Sequence, residues 1–158
     1  MIKSIVESEL NDCLELMKIS YEASALRFNQ TEENCPHRGR TRLPLSELRK
    51  EFVEGCQMYS YFHNSKRIGF LSVMIQDGVM KINDLAILPE YQKMGFGSKL
   101  IEFSKEAAKK KKCNKIILGM IDDNVELKKW YEKHGFKTVS LIKFDTVTYR
   151  VGRMELVL

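Results

Sequence analysis

Hydrophobic positions change their spacing several times along the chain, and each spacing predicts one secondary-structure element. Steps of three and four residues from 8 to 28 predict an amphipathic helix with Ser8 as its N-cap. Three strand-like runs between 58 and 88 are separated by the turn pairs Asn64-Ser65 and Asp77-Gly78. The first half of the chain therefore predicts a short strand, two helices and a β-meander.

The second half alternates helices with strands. The continuous apolar run 115–121 suits a central strand that is covered on both faces. Ser46 is expected to cap the helix 47–55, and Gly135 is expected to follow the helix 124–134 as its C′ residue. The predicted order is β-α-α-β-β-β-α-β-α-β-β, an α/β fold with a mixed central sheet flanked by helices. The predicted strands are 3–7, 58–63, 67–76, 79–88, 115–121, 136–144 and 151–157, and the helices are 8–28, 47–55, 95–112 and 124–134.

Size and composition favour one soluble domain over residues 1–158, with 44% hydrophobic and 30% charged residues. No run approaches the ~18 apolar residues of a membrane span, and the start lacks the features of a signal peptide. We therefore expect a cytoplasmic protein with no membrane partner. The net charge of +5 includes four lysines at 109–112, at the expected end of a helix, where cations are favourable. A solvated helix end explains this run better than a nucleic-acid site.

The four cysteines, at 13, 35, 56 and 113, have no paired spacing and are expected to be free thiols. Cys35-Pro36-His37 could supply two metal ligands. Zinc sites usually use other spacings and need a second pair, which this sequence lacks. We therefore expect no metal site.

The most informative stretch is 85–100, where a strand ends, a turn passes through Gly95 and Gly97, and a long helix begins. Amides at a helix start lack internal partners and point at a bound anion, and glycines let the backbone approach phosphate oxygens. Lys93 and Lys99 add positive charge. The stretch therefore predicts a pyrophosphate site, and the alternative is that the glycines only tighten a strand-to-helix turn.

Two motifs in register resemble those of the GNAT superfamily of N-acetyltransferases. The first is Gln92-x-x-Gly95-x-Gly97 after Leu85-Ala86-Ile87, which resembles the acetyl-CoA signature. The second is Asn124-x-x-Leu127-x-x-Trp130-Tyr131-Glu132-Lys133-x-Gly135-Phe136, which is similar to the late helix of the superfamily. The order of elements agrees as well, so the resemblance covers nearly the whole chain.

The resemblance implies that acetyl-CoA is the cosubstrate and that its pantetheine arm lies where the fourth and fifth strands splay apart. Backbone groups at 85–87 would bind pantetheine, and amides at 93–98 would hold the pyrophosphate. The Ile87 N–H would stabilise the developing oxyanion, and Asn124 would help hold the cofactor. The implied cofactor-binding residues are Leu85, Ala86, Ile87, Gln92, Lys93, Met94, Gly95, Phe96, Gly97, Ser98 and Asn124.

Acetyl transfer to an amine needs a proton donor for the leaving thiolate and a neutral nucleophile. The resemblance makes Tyr131 the candidate acid, since a phenol with a pKa of about 10 stays protonated at neutral pH. The alternative is a core tyrosine. Members of the superfamily often have Glu on the fourth strand, where this chain has Lys81, Asn83 and Asp84. Asp84 is the candidate base, provided that a β-bulge re-aims it, and an ordered water is the alternative.

The acceptor is predicted only as a small-molecule amine or a peptide, bound by a monomer or a homodimer. The arginines at 38, 40 and 42 suit carboxylate or phosphate, which favours an acceptor bearing an acid group as well as an amine. The alternative function is a non-catalytic CoA-binding regulatory module. Further candidates for lining the acceptor site, each with a loop or packing role as its alternative, are Tyr21, Phe28, His37, Tyr59 and Tyr61.

Overall fold

The computed structural model of the protein describes residues 1–27, 39–145 and 149–158. Within these ranges four helices flank a mixed seven-stranded sheet of order β1-β2-β3-β4-β5-β7-β6. The strands are β1 (Ile2–Ser4), β2 (Gln57–His63), β3 (Lys66–Gln76), β4 (Val79–Ile87), β5 (Lys115–Ile121), β6 (Lys137–Lys143) and β7 (Arg150–Val157). The helices are α1 (Leu10–Arg27), α2 (Leu45–Val53), α3 (Phe96–Lys110) and α4 (Val125–Lys133). None of these helices has the length and apolar character to cross a bilayer.

The predicted fold class and order of elements are confirmed, but two predicted helix caps are wrong. Ser8 lies inside a 3-10 turn, Glu7–Glu9, that precedes α1. There the Val6 N–H donates to the Glu9 carboxylate at 2.9 Å. Pro44 is the N-cap of α2, so Ser46 falls within the first helical turn. An extended proline with a fixed φ starts the helix two residues before the predicted cap.

Both predicted hairpin turns are confirmed by their backbone angles. Asn64 and Ser65 have φ values of 47° and 62°, and Asp77 and Gly78 have values of 51° and 73°. Two consecutive left-handed residues match the twist of antiparallel strands. These turns fix the register of β2, β3 and β4.

Two hydrophobic clusters cover the two faces of the sheet. Phe70 and Leu71 are neighbours in β3, and both are fully buried. Phe70 packs in the cluster with α1 and α2, and Leu71 packs in the cluster with α3 and α4. Strand alternation explains this division, since successive side chains point to opposite faces.

A β-bulge in β4 changes which residues face each cluster. Asp84 pairs with Ser72 but Ile82 pairs with Val73, so Asn83 is the extra residue. Ile82 lies in the cluster on the α3 side, as alternation from the start of β4 requires. After the bulge the even-numbered positions face α1 instead, and Asp84 turns to that side. This is the bulge on which the prediction for Asp84 depended.

The pairing of β4 with β5 is short. These two parallel strands are joined at three residue pairs, from Val79↔Lys115 to Lys81↔Ile117. Beyond these pairs, β4 continues to Ile87 and β5 continues to Ile121 without further pairing to each other. The sheet therefore opens between the two strands towards their C-terminal ends, and we call this space the β4–β5 opening.

Gly69 makes room for a side chain at this opening, and we predict that Gly69→Ala lowers the free energy of unfolding by about 1–3 kcal/mol. An added Cβ would lie 2.6 Å from Ile87 Cδ1 and 3.2 Å from Tyr61 Cβ. The matched control is Gly119→Ala in β5, where the nearest atom is Val151 Cγ1 at 3.5 Å. Urea denaturation should show a change of no more than about 1 kcal/mol for the control. Equal losses in both variants would contradict the steric explanation.

Candidate functional site

The turn between β4 and α3 presents unpaired amides at the start of a 15-residue helix. Gly95 is the N-cap, and the Lys99 N–H donates to its carbonyl at 3.2 Å. The amides of residues 96–98 therefore have no acceptor within the helix. Together with the positive end of the helix dipole they form a favourable position for an anion.

The two glycines of this turn are needed for different reasons. Gly95 has a φ of 86°, in the left-handed region, and an added Cβ would meet nothing within 4 Å. Gly97 has an ordinary φ, but an added Cβ would lie 3.3 Å from Trp130 Cζ2. Gly97 therefore lets α4 pack closely against the start of α3. The sequence predicted either a close approach to phosphate or a tight turn at this glycine, and it gave no sign of the contact with Trp130.

Further contacts join α4 to the first turns of α3. Ser98 Oγ and His134 Nε2 are 3.1 Å apart, within hydrogen-bond distance. His134 Nδ1 lies 3.5 Å from Glu102 Oε1, and its ring packs against Trp130. His134 is the C-cap of α4, and it also links the two helices.

Backbone alternation decides which groups of β4 face the β4–β5 opening. The Leu88 N–H donates to the Ile68 carbonyl at 2.9 Å, and by the register Ala86 is the next residue bonded to β3. The backbone groups of Ala86 therefore point away from the opening. Those of Leu85 and Ile87 point into it, where β5 supplies no partner.

Two other predicted cofactor residues have structural contacts of their own. Gln92 Nε2 donates to the Ile87 carbonyl at 3.0 Å, so this side chain fixes the turn at the end of β4. Asn124 is the N-cap of α4, and its Oδ1 accepts from the Leu127 N–H at 3.0 Å. The side chain of Met94 is 59% exposed. Any contact of these residues with a cofactor stays a prediction.

Asp84 is a fully buried carboxylate that receives four hydrogen bonds. Arg40 donates from Nε to Oδ1 at 2.7 Å and from Nη2 to Oδ2 at 2.5 Å. Ser72 Oγ donates to Oδ2 at 2.6 Å, and Tyr21 Oη donates to Oδ1 at 3.2 Å. A carboxylate has about four lone-pair sites, so these contacts use its capacity. Sequence spacing gives no signal for any of these partners.

Arg40 is held by a second carboxylate. Its Nη1 and Nη2 donate to the two oxygens of Glu51, in α2, at 2.6 Å and 2.9 Å. Burial opposes the charged guanidinium, but the hydrogen bonds to Glu51 and Asp84 outweigh it and raise the pKa of Arg40. Arg40, one of the three arginines expected to favour an acid-bearing acceptor, is thus bound within the protein. Arg38 and His37 lie outside the described residues, as does Phe28.

Tyr131, in α4, is a buried phenol. Its ring packs against Trp130 and Phe136, and burial raises the pKa of Tyr131 above its usual value. In the described part of the chain the hydroxyl has no hydrogen-bond partner. Tyr131 is therefore protonated at neutral pH.

Tyr21 and Tyr131 belong to the hydrophobic clusters on opposite faces of the sheet. Tyr21 packs with the cluster of α1, and Tyr131 belongs to the cluster of α3 and α4. Burial first, and then the charges of Asp84 and Tyr131, raise the pKa of Tyr21 well above its usual value. The Tyr21 phenol therefore keeps its proton at neutral pH.

The other two tyrosines proposed for the acceptor site have packing contacts. Tyr59 packs against Phe103 with ring centroids 4.8 Å apart, and its hydroxyl donates to Gln57 at 3.0 Å. Tyr61 is buried and packs against Phe96 at 5.3 Å. These contacts agree with the packing alternative.

Solved structures share this fold at low sequence identity. PaiA N-acetyltransferase from Thermoplasma acidophilum, in complex with coenzyme A, superposes with a TM-score of 0.76 and 19% identity, over 100% of this chain and 98% of that one. The ribosomal-protein-S18-alanine N-acetyltransferase of Escherichia coli has a TM-score of 0.73 and 16% identity, over 99% and 92%. A spermidine N-acetyltransferase SpeG chimera from Vibrio cholerae and hSSAT has a TM-score of 0.73 and 16% identity, over 99% and 94%.

The sequence itself carries the family relationship. Residues 21–136, more than half of the chain, match the model of the Acetyltransferase (GNAT) family. The match includes the anion-binding turn, the β4–β5 opening and the phenol of Tyr131. This protein is therefore a member of the GNAT family of acetyltransferases.

Proposed function

We propose that the protein is an N-acetyltransferase that moves the acetyl group of acetyl-CoA onto a primary amine. The observation that carries this proposal is the β4–β5 opening. There the backbone groups of Leu85 and Ile87 have no partner from β5, and the amides of residues 96–98 lie in the turn that follows β4. We further propose that the Tyr131 hydroxyl faces this opening. These protein groups match the thioester, the pyrophosphate and the leaving thiolate of the reaction.

Acetyl-CoA is the cosubstrate that membership of the family implies, and the Thermoplasma PaiA structure contains coenzyme A. The pantetheine amides are matched by the strand edge of Leu85 and Ile87. The pyrophosphate is matched by the amides at the start of α3, with Lys93 and Lys99 nearby. Ala86 contributes its small side chain to packing rather than its backbone to the cosubstrate.

The reaction needs a bond to nitrogen, a stabilised oxygen and a protonated sulfur. A neutral amine attacks the thioester carbon, and the Ile87 N–H is the candidate donor to the thioester oxygen. As the C–S bond breaks, Tyr131 donates its phenolic proton to sulfur. The nitrogen gives its surplus proton to water, and water returns one to Tyr131. The products are then an acetylated amine and free CoA.

Asp84 as the general base stays a prediction. Its carboxylate already accepts four hydrogen bonds, two of them from Arg40, and its side chain is fully buried. A group in these contacts is better suited to hold other side chains than to take a proton from an amine. Water as the proton acceptor is the arrangement that these contacts favour.

The acceptor is proposed as a small-molecule amine or a peptide, with a monomer or a homodimer as the assembly. The names of two similar structures, an S18-alanine N-acetyltransferase and a spermidine N-acetyltransferase, give one acceptor of each kind. The internal pairing of Arg40 removes part of the reason for preferring an acid-bearing acceptor.

An acceptor screen tests this function. Acetyl-CoA is incubated with polyamines, amino acids and peptides with free N-termini, while CoA release is followed and products are weighed by mass spectrometry. We expect an acetylated amine from at least one class. In parallel, acetyl-CoA at a hundredfold excess over its Kd should stabilise the fold by about 2.7 kcal/mol. Binding without any acetylated product would instead support the regulatory module.

Gly97 provides a test of the anion site. We predict that Gly97→Val lowers acetyl-CoA affinity at least about tenfold, or 1.4 kcal/mol, because a side chain at this position crowds the helix start. The contact with Trp130 requires a control, so the substitution is also made in a Trp130→Phe background. Calorimetric titration should find the loss in both backgrounds. Recovery of affinity in the double variant would mean that Gly97 serves only the packing of α4.

Tyr131 provides a test of the chemistry. We predict that Tyr131→Phe slows single-turnover CoA release by about 10²–10⁴, with the lower end expected because water can partly replace the phenol. Acetyl-CoA affinity should change little, since its contacts come mainly from backbone. The raised pKa of Tyr131 also predicts that wild-type turnover does not fall as the pH rises to 10. If the variant releases CoA within about twofold of the wild-type rate, Tyr131 is a packing residue.

A further inference from the structure

The carboxylate of Asp84 sets the direction of the hydrogen bond that the Tyr21 hydroxyl makes. An ionised carboxylate can only accept, so Tyr21 must donate its single proton to Oδ1, 3.2 Å away. Arg40 and Ser72 hold the same carboxylate from the other side and fix its position. The tyrosine oxygen is therefore left with lone pairs only. Any further partner of Tyr21 has to be a hydrogen-bond donor.

The Tyr21 oxygen lies 3.2 Å from Asp84 Oδ1, beside a part of β4 that no longer pairs with β5. Asp84 directly precedes Leu85, whose backbone faces the β4–β5 opening. The two phenols differ in what they offer a ligand. Tyr131 has no hydrogen-bond partner among the described residues and keeps its proton at neutral pH, whereas Tyr21 donates its proton to Asp84 and offers only lone pairs.

The net charge of the groups around Tyr21 favours an acceptor nitrogen that becomes positively charged during the reaction. The guanidinium of Arg40 carries one positive charge, and the carboxylates of Asp84 and Glu51 carry two negative charges, so the group carries one net negative charge. As an amine attacks a carbonyl carbon, positive charge develops on nitrogen. A fixed negative group behind the phenol stabilises that charge in a partly buried site.

We propose that Tyr21 binds the acceptor nitrogen by accepting a hydrogen bond from its N–H, and that Asp84 and Arg40 are positioning residues for Tyr21. This inference rests on the proposed N-acetyltransferase function. A neutral amine uses one N–H for Tyr21 and keeps its lone pair for the thioester carbon. Tyr21 thus favours an acceptor that has an N–H to donate, and Tyr131 protonates the leaving sulfur.

The test compares Tyr21→Phe with Tyr59→Phe. Both variants lose one hydroxyl that donates to a neighbouring side chain, but Tyr59 donates to Gln57 and packs against Phe103 instead of joining the Asp84 group. We expect Tyr21→Phe to lower kcat/KM for the acceptor about 10- to 100-fold, with the acetyl-CoA Kd within about twofold of wild type. Tyr59→Phe should leave kcat/KM unchanged. Equal kcat/KM values in the two variants would overturn the proposal.

A double-mutant cycle tests whether Asp84 acts through Tyr21. We expect Asp84→Asn to lower kcat/KM for the acceptor, and the double variant with Tyr21→Phe to be no slower than Asp84→Asn alone. A general base acting directly on the amine would instead give additive losses, and such losses would overturn the positioning role. If Asp84→Asn does not fold, the milder Ser72→Ala, which removes one bond to the same carboxylate, takes its place in the cycle.

The outcomes separate this inference from the function on which it rests. A wild-type protein that acetylates no amine in the screen would remove the proposed function itself. A wild-type protein that acetylates an amine, with Tyr21→Phe equally active, would remove only the role of Tyr21.

Discussion

A carboxylate buried without compensation costs several kcal/mol, and the α1 side of this protein is organised around one such group. Asp84 reaches the interior because of the bulge at Asn83, and its charge is compensated by Arg40 from a segment that is distant in sequence. Removing one partner of a buried pair typically costs about 3–5 kcal/mol, so this contact firmly fixes the described end of the α1–α2 connection. Glu51 then ties the same guanidinium to α2.

The second constraint is the early end of pairing between β4 and β5. A parallel pair normally continues along both strands, and here it stops at Lys81↔Ile117. Each unpaired backbone group of β4 then needs a partner from solvent, a side chain or a ligand. Gln92 supplies one of these partners by donating to the Ile87 carbonyl, which leaves the neighbouring groups available.

The local part of the fold was predictable because its determinants lie within a few residues. Asn64-Ser65 and Asp77-Gly78 carry their own turn chemistry, and Gly135 ends α4 with a φ of 94°. The cap of α2 was missed because Pro44 preceded the more usual cap residue Ser46. The family and the cosubstrate followed from two motifs that were found in register.

The site was less predictable because its contacts join distant parts of the chain. Nothing in the spacing of Tyr21, Arg40 and Asp84 indicates that they share one hydrogen-bonded group. From its charge alone, Arg40 was expected to favour an acid-bearing acceptor. The sequence does not distinguish an arginine in an exposed loop from one in a buried ion pair. The packing of Trp130 against Gly97 was likewise not predicted, because the sequence pattern at Gly97 indicated a phosphate site.

The contacts that join α4 to α3 limit the length of the acyl carrier that the proposed site can use. The helix that bears Tyr131 is joined to the turn at the start of α3 by contacts of Trp130, His134 and Ser98. Under the proposed function, the proton donor and the pyrophosphate-binding amides therefore move as one unit, and the protein sets the distance between them before any acceptor binds. Under the proposed function, an acyl carrier with a shorter arm between phosphate and sulfur would bind the same amides and leave its thioester short of the phenol. The proposed site would therefore select its carrier by length as well as by charge.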